Sequence, residues 1–312
     1  MYTKNFKQLA KVDVGIAGGK GASLGVMTRV GIPVPPGFVI LSNAFERFLE
    51  ETDLDVEIDS ILHKVNHKKI HTVEGASEQI QALILEAKMP KDIGEGVAKE
   101  FKKLNTRFVA VRSSATAEDG STAAWAGQLE TYLNTTERNL LENVQSCWAS
   151  LFTPRAIFYR FEKGMKNQKI SVAVVVQKMI QSEISGVAFS VHPVTQDRNQ
   201  LIIEACLGLG EALVSGEITP DSYVLSKKPT VIIDKNIAEQ AKALVKGGAG
   251  NVWKKITYAS GTKQKLSDNN ILKLSKLVVK IEKHYGFPVD IEWALSRGKF
   301  YILQCRPITT LS

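Results

Sequence analysis

Two carboxylates, Asp290 and Glu292, stand two residues apart near the end of the sequence, and Gln304 and Arg306 repeat that spacing further on. The segments Val289 to Leu295 and Phe300 to Arg306 read as two strands around Arg297, Gly298 and Lys299. Side chains two apart on a strand point to one face, so Asp290 and Glu292 share a face while Ile291 and Trp293 take the other. Paired carboxylates suit Mg²⁺, which takes one or two protein carboxylates and fills its octahedron with phosphate and water oxygens. The competing reading makes them surface acids that pair with lysines. Their neighbours argue against it. A three-residue turn with Gly298 in its left-handed position would set Glu292 opposite Gln304 and Asp290 opposite Arg306, all on one face. A two-residue turn would put them on opposite faces.

A second candidate stretch runs from Val109 to Asn134. A β-rich run from Phe108 to Val111 is expected to deliver Arg112 at the strand's end, followed by Ser, Ala, Thr and Gly around the acidic pair Glu118 and Asp119. Small residues let backbone N–H groups approach an anion, and a guanidinium offers a planar fork of donors to phosphate oxygens. A surface loop with Arg112 in an ordinary salt bridge remains open on this segment alone. Further upstream, Gly15, Gly18 and Gly19 precede Lys20 and a helix-like stretch from Ala22 to Val30. Glycines before a helix start, with a lysine among them, can cradle a phosphate on the free N–H groups and the positive helix end. The GxxxxGK[ST] spacing of a Walker A loop is absent, and a plain glycine-rich turn is the alternative.

The elements that must carry these residues are legible in outline. Three prolines in Ile32 to Ile40 enter a short strand, after which Ser42 or Asn43 is placed to cap a helix with Phe45, Phe48 and Leu49. Residues 51 to 107 read as helices. His63, His67 and His71 fall at four-residue spacing, one face of a helix, but Lys64, Lys68 and Lys69 beside them favour a solvated face over a metal site. Glu137 to Tyr159 is helical, with Pro154 interrupting it. The β-branched run within Ile170 to Met179 reads as a buried strand, Gly186 to Ser190 and Leu201 to Ala205 as further strands, and residues 224 to 233 as weakly alternating ones. Gly208, Gly210 and Gly216 surround Glu211 in a loop, and His192 is a loop histidine without a nearby partner in sequence. Val245 to Gly261 reads as a loop and hairpin. Ser267 caps a helix carrying Leu272, Leu274, Leu277, Val278 and Ile281 that ends near Gly286.

Composition limits the alternatives. The chain has 312 residues, enough for one large domain or two lobes, and 44% hydrophobic with 23% charged residues is ordinary for a globular protein. Forty Lys and Arg against 32 Asp and Glu give a formal charge of +8. The basic residues are scattered and not interleaved with stacking aromatics, which argues against nucleic acid and fits attraction of a small polyanion. Cys147, Cys206 and Cys305 form no CxxC pair, so the expectation is a reducing cytosol with neither disulfide framework nor zinc. The opening residues lack a signal-peptide core. The run Val172 to Val176 is far too short for a bilayer, so no membrane partner is expected.

These motifs together carry a resemblance. Arg-Ser-Ser-Ala-Thr-Ala-Glu-Asp from Arg112, with AGQLETYLN behind it, is similar to the nucleotide-binding domain shared by phosphoenolpyruvate synthase, pyruvate phosphate dikinase and rifampin phosphotransferase. Four more blocks match in order: GGKGASLG at Gly18, GVAFSVHPVT at Gly186, EACLGLGEALVSGEITPDSY at Glu204, and DIEWAL at Asp290 with LQCRPIT at Leu303. The resemblance covers essentially the whole chain. It implies an α/β fold of ATP-grasp type, with lobes of approximately 1–175 and 176–312 whose segments can interleave, clasping Mg-ATP. Lys20, Arg112 and Arg306 then neutralise phosphates in the catalytic role, and Asp290 and Glu292 hold Mg²⁺. Gly127, Gln177, Met179, Glu292, Gln304 and Arg306 join Lys20 and Arg112 around the nucleotide, with Gln177 and Met179 at a hinge that reads the adenine edge. The loop around Glu211 closes over ATP by the same analogy.

Family members transfer a phosphoryl or pyrophosphoryl group from ATP to a histidine on a separate swivelling domain, which carries it to pyruvate or another acceptor. None of His63, His67, His71, His192 and His284 sits in the family's Thr-, Gly- and Cys-containing phosphohistidine motif. The expected partners are therefore a phosphohistidine carrier and an acceptor-binding domain. The chain is expected to be either an excised domain or a stand-alone subunit of a split dikinase, of which phenylphosphate synthase is an example. A nucleotide-binding regulatory protein without turnover is the alternative class.

Overall fold

A computed structural model describes residues 1–116, 130–165, 171–248 and 250–309. The chain divides into two compact units, Met1–Val26 with Pro36–Met179, and Met27–Pro35 with Ile180–Ser312.

In chain order the first unit contains β1 (Thr3–Asn5), α1 (Val14–Arg29, whose last residues pass into the second unit), β2 (Gly37–Ile40), α2 (Ser42–Glu51), α3 (Leu54–His63), α4 (Ile70–Glu86) and α5 (Lys91–Lys103). These are followed by β3 (Val109–Ala115), β4 (Thr131–Thr135), α6 (Leu140–Ala149), α7 (Pro154–Glu162) and β5 (Val172–Lys178). The strands form an antiparallel sheet in the order β1-β2-β5-β3-β4. β5 is central, which explains its unbroken run of β-branched residues: both of its faces are buried. Val172, Val174 and Val176 join Val109, Val111, Phe38 and Ile40 in a core completed by helical residues such as Val73, Ile80 and Ile84 of α4, spaced to fall on one helix face. Trp148 of α6 lies against Phe45 and Phe48, with ring centroids 5.6 and 5.0 Å away.

Three local expectations change. The N-cap of α2 is Leu41, and neither Ser42 nor Asn43 caps it, because the helix already begins at Ser42. His63 ends α3, His71 belongs to α4, and His67 lies in the turn between them, its ring stacked 5.4 Å from that of Phe161. The three therefore share no helix face. Arg112 sits in the middle of β3 and not at its end, since the strand continues through Ala115.

The second unit contains β6 (Ile184–Phe189), β7 (Gln200–Leu207), α8 (Glu211–Val214), β8 (Asp221–Lys227), β9 (Thr230–Asn236), β10 (Lys242–Lys246) and β11 (Asn251–Lys255). It ends with α9 (Tyr258–Gly261), α10 (Asp268–Tyr285), β12 (Val289–Ser296) and β13 (Lys299–Pro307). Six strands form an antiparallel sheet in the order β13-β12-β6-β7-β8-β9, while β10 and β11 pair as a separate hairpin. Ser267 caps α10 by accepting from Asn270 N–H, and Gly286 at φ 77° ends it. The buried Ile271, Leu274, Val278 and Ile281 of α10 pack toward the sheet. Asp221, the first residue of β8, forms an ion pair with Lys265 at 2.9 Å, with both side chains fully buried. No helix among the described residues is long and apolar enough to cross a membrane.

Candidate functional site

In the first unit the polar candidates gather on the sheet face opposite the large helical core. Ala110 pairs with Gln177, Arg112 with Val175 and Ser114 with Ala173, and residues directly opposite on paired strands share a face. Ala110, Arg112 and Ser114 therefore point the same way as Gln177, Val175 and Ala173. α1 crosses this face. A Cβ on Gly21 would stand 3.0 Å from Val39, and one on Gly18 would run into Ser114. Gly18, at φ 66° and ψ 169°, breaks α1 into two helical stretches, so Lys20 stands in the first turn of the second. The Lys20 ammonium donates to the Ser113 carbonyl at 3.0 Å.

Gln177 is 2% exposed, and its Nε2 makes no hydrogen bond. Its neighbours on either side are Gly37 and Ala110, and the Phe6 ring packs on Gly37, where a Cβ would stand 2.5 Å from it. A buried donor without an acceptor costs about 1–3 kcal/mol, so it calls for an explanation beyond packing. Met179 is half-buried, and its N–H is committed to the Phe108 carbonyl at 3.0 Å, so only its carbonyl and side chain are left to offer a ligand. Gly127, Glu118 and Asp119 lie outside the described residues.

In the second unit the turn differs from the expected one, yet the expected register holds. Ser296 pairs with Lys299, so the turn has two residues, Arg297 and Gly298, both in the left-handed region at φ 50° and 71°. That turn by itself would send Glu292 and Gln304 to opposite faces. A β-bulge restores the register: Trp293 pairs with Ile302 and Glu292 with Gln304, leaving Leu303 as the extra residue. Asp290 accordingly lies opposite Arg306 and accepts from its Nε at 2.8 Å and its Nη2 at 2.7 Å. Trp293 is fully buried on the reverse face, where Phe300 meets it edge-on at 5.7 Å.

The sheet adds a residue that motif reading passed over. Glu292 pairs with Val187, and Val187 with Glu204 of β7, so Glu204, Val187, Glu292 and Gln304 form one row across four strands on one face. Burial pushes the Glu204 carboxyl upward from the usual carboxylate range, and the nearby Asp290 charge pushes the same way. Burial also raises Asp290; the Arg306 guanidinium opposes the shift and Glu292 adds to it. The signal for Glu204 in the sequence is a lone acid within the apolar run LIIEACL of β7.

Asp290, Glu292 and the Gln304 amide present hard oxygen donors of the kind Mg²⁺ takes, and one or two protein carboxylates suffice when phosphates supply the remainder. Among the described residues no group of three or more His, Cys, Asp or Glu is placed to hold a metal ion by itself. His192 serves its own turn, which its Nδ1 closes by accepting from Val194 N–H at 3.3 Å and Thr195 N–H at 3.2 Å. The Gly208 to Gly216 loop contains the short α8, and the Glu211 carboxylate accepts from Asn251 Nδ2 at 2.9 Å.

An α/β chain of two units, with cationic and oxygen-donor side chains set out on sheet faces, belongs among proteins that bind charged small molecules. Comparison narrows the class. A family model described as pyruvate phosphate dikinase, AMP/ATP-binding domain, matches residues 14–312. A probable phosphoenolpyruvate synthase of Methanocaldococcus jannaschii is 46% identical over 313 residues, covering 97% of this chain and 26% of the relative. The phosphoenolpyruvate synthase of Pyrococcus furiosus is 41% identical over 358 residues, covering 99% and 44%. The rifampicin phosphotransferase of Bacillus subtilis is 38% identical over 310 residues, covering 97% and 35%. The chain thus belongs to the pyruvate phosphate dikinase family of AMP/ATP-binding domains, and its fold is of the ATP-grasp type. It spans less than half the length of these relatives.

Proposed function

We propose that this chain binds Mg-ATP and donates a phosphoryl or pyrophosphoryl group to a histidine on a separate carrier domain or subunit, as in phosphoenolpyruvate synthase-like dikinases. The observation that carries the reading is the register of β12 and β13, which sets Asp290 and Glu292 opposite Arg306 and Gln304 on one face. The family membership and the names of the relatives support it.

In this reading Lys20, Arg112 and Arg306 neutralise phosphate charge, and Asp290 and Glu292 hold the metal, with the Gln304 amide fixing their geometry. Bound Mg²⁺ neutralises the phosphate oxygens and orients them. The Gln177 amide nitrogen, buried without an acceptor, would donate to a ring nitrogen of the base. Positioning and charge stabilisation are most of what phosphoryl transfer asks of a protein. Arg306 already spends two donors on Asp290, which holds its guanidinium in place on the strand.

The carrier and the acceptor-binding domain are the partners, and pyruvate, a rifamycin or a phenol is the kind of final acceptor. The test is radiolabelled ATP given to this chain with and without a separately made carrier domain from the same source. The expected result is slow or no turnover by the chain alone and acid-labile label on the carrier when both are present. Binding without transfer to any carrier would favour a regulatory nucleotide-binding subunit. Rapid transfer to a small molecule by the chain alone would make it a self-sufficient kinase.

A further inference from the structure

We propose that Ser114, together with the missing side chain at Gly18, is a positioning device that sets the Lys20 ammonium for phosphate; the inference rests on the nucleotide reading above and deepens it. Gly18 interrupts α1 at φ 66° and ψ 169°, a conformation that L side chains rarely adopt. Its need for glycine is also steric. A Cβ at this position would lie 2.2 Å from Ser114 Oγ and 2.5 Å from the Ser114 carbonyl oxygen, so the α1 backbone rests directly on β3. Ser114 is fully buried, and its Oγ accepts the Gly21 N–H at 3.4 Å, just beyond the break. Between these two contacts stands Lys20, whose ammonium reaches the carbonyl of Ser113, the residue next to Ser114, at 3.0 Å.

The three contacts tie one turn of helix to one peptide of β3. Ser114 points to the same sheet face as Arg112, two residues earlier on the same strand, while Ser113 turns the other way and donates to the Glu130 carbonyl at 2.7 Å. The hydroxyl thus fixes the start of the second helical stretch relative to Arg112, and a lysine tethered in that first turn can swing its ammonium only within a short arc. Such a residue touches no ligand. It acts through Lys20.

The test is a double-mutant cycle on the whole chain, read by calorimetric affinity for Mg-ATP and for adenosine. Ser114→Ala removes the hydroxyl without adding bulk, and should weaken Mg-ATP by about fivefold, the equivalent of one hydrogen bond, while leaving adenosine unchanged. In a Lys20→Ala background the same substitution should have little further effect, because residues that act as a unit are not additive. Gly18→Ala should lose more affinity than Ser114→Ala. Should Gly18→Ala fail to fold, the Ser114 cycle carries the decision. Equal weakening of adenosine, or full additivity with Lys20→Ala, would show that Ser114 only supports the fold and would overturn the inference while leaving the nucleotide reading intact. A folded wild-type chain that binds no Mg-ATP would overturn both.

Discussion

Glu292 faces Gln304 across β12 and β13 because Leu303 is squeezed out of the ladder, and not because of the turn that joins the two strands. Deleting Leu303 should therefore leave Glu292 opposite Gln304 in an unbroken ladder. The expected outcome is a folded protein whose melting temperature still rises with Mg-ATP in calorimetry. A folded deletion variant without that rise would show that the bulge shapes the site beyond setting its register.

Mg-ATP at a hundredfold excess over Kd should stabilise the wild-type chain by about 2.7 kcal/mol, because it binds the folded state alone. Glu292→Gln keeps the volume and removes the charge. It should stay folded and lose most of the difference between ATP with Mg²⁺ and ATP with a chelator. An undiminished difference would remove Glu292 from the metal site.

Gln177→Met should separate stability from function. The substitution removes a buried donor that has no acceptor, which should leave the fold equal in stability or gain it about 1 kcal/mol. ATP affinity should fall in the same variant. If urea denaturation shows a clear loss of stability with ATP affinity unchanged, the amide has a structural duty that its contacts do not display.

Asp221, opposite Ala205 on the neighbouring strand, holds together the segments around Ala238 and Lys265. Its carboxylate accepts from the Ala238 N–H at 3.1 Å, the Tyr223 hydroxyl at 2.7 Å and the Lys265 N–H at 2.8 Å, and it pairs with the Lys265 ammonium. Asp221→Ala leaves that ammonium buried beside the Ala238 and Gly261 carbonyls without its counter-charge. The expected cost is about 3–5 kcal/mol, measurable as a lowered urea midpoint.

Burial pushes the Cys147 thiol from 9.0 up to about 12 and the Cys206 thiol to about 11, and it raises Cys305 as well. Above pH 9 the unfolded chain therefore loses these protons before the folded one does. Fewer protons on the unfolded state mean that stability falls as pH rises, by up to about 1.4 kcal/mol per pH unit for each thiol. Urea midpoints measured from pH 8 to pH 10.5 should decline beyond pH 9, and native thiols should resist alkylation at pH 8. A flat profile would contradict the buried-thiol account.

Several features were legible because they depend on neighbouring residues alone. The Ser267 cap and the Gly286 stop of α10, the valine run of β5, and the strands flanking Arg297 and Gly298 follow from backbone preference and local burial pattern. The motif blocks likewise pointed to the family that the comparison shows. Tertiary structure decided the rest. The sequence around Arg297 permits a turn of two residues or three. Trp293 is interior and Glu292 lies on the other face of an unbroken β12. Ile302 and Gln304 of β13 are two residues apart and would share one face, so the bulge at Leu303 is what puts Ile302 beside Trp293 and Gln304 beside Glu292. The small residues after Arg112 suggest a strand end there, but pairing with β5 extends β3 through Ala115. The histidines at four-residue spacing fell on two helices and a turn, since periodicity does not reveal where a helix stops. Glu204 joined the row of Glu292 and Gln304 only through the order β13-β12-β6-β7, an order set by long-range strand pairing and not by any local preference of the chain.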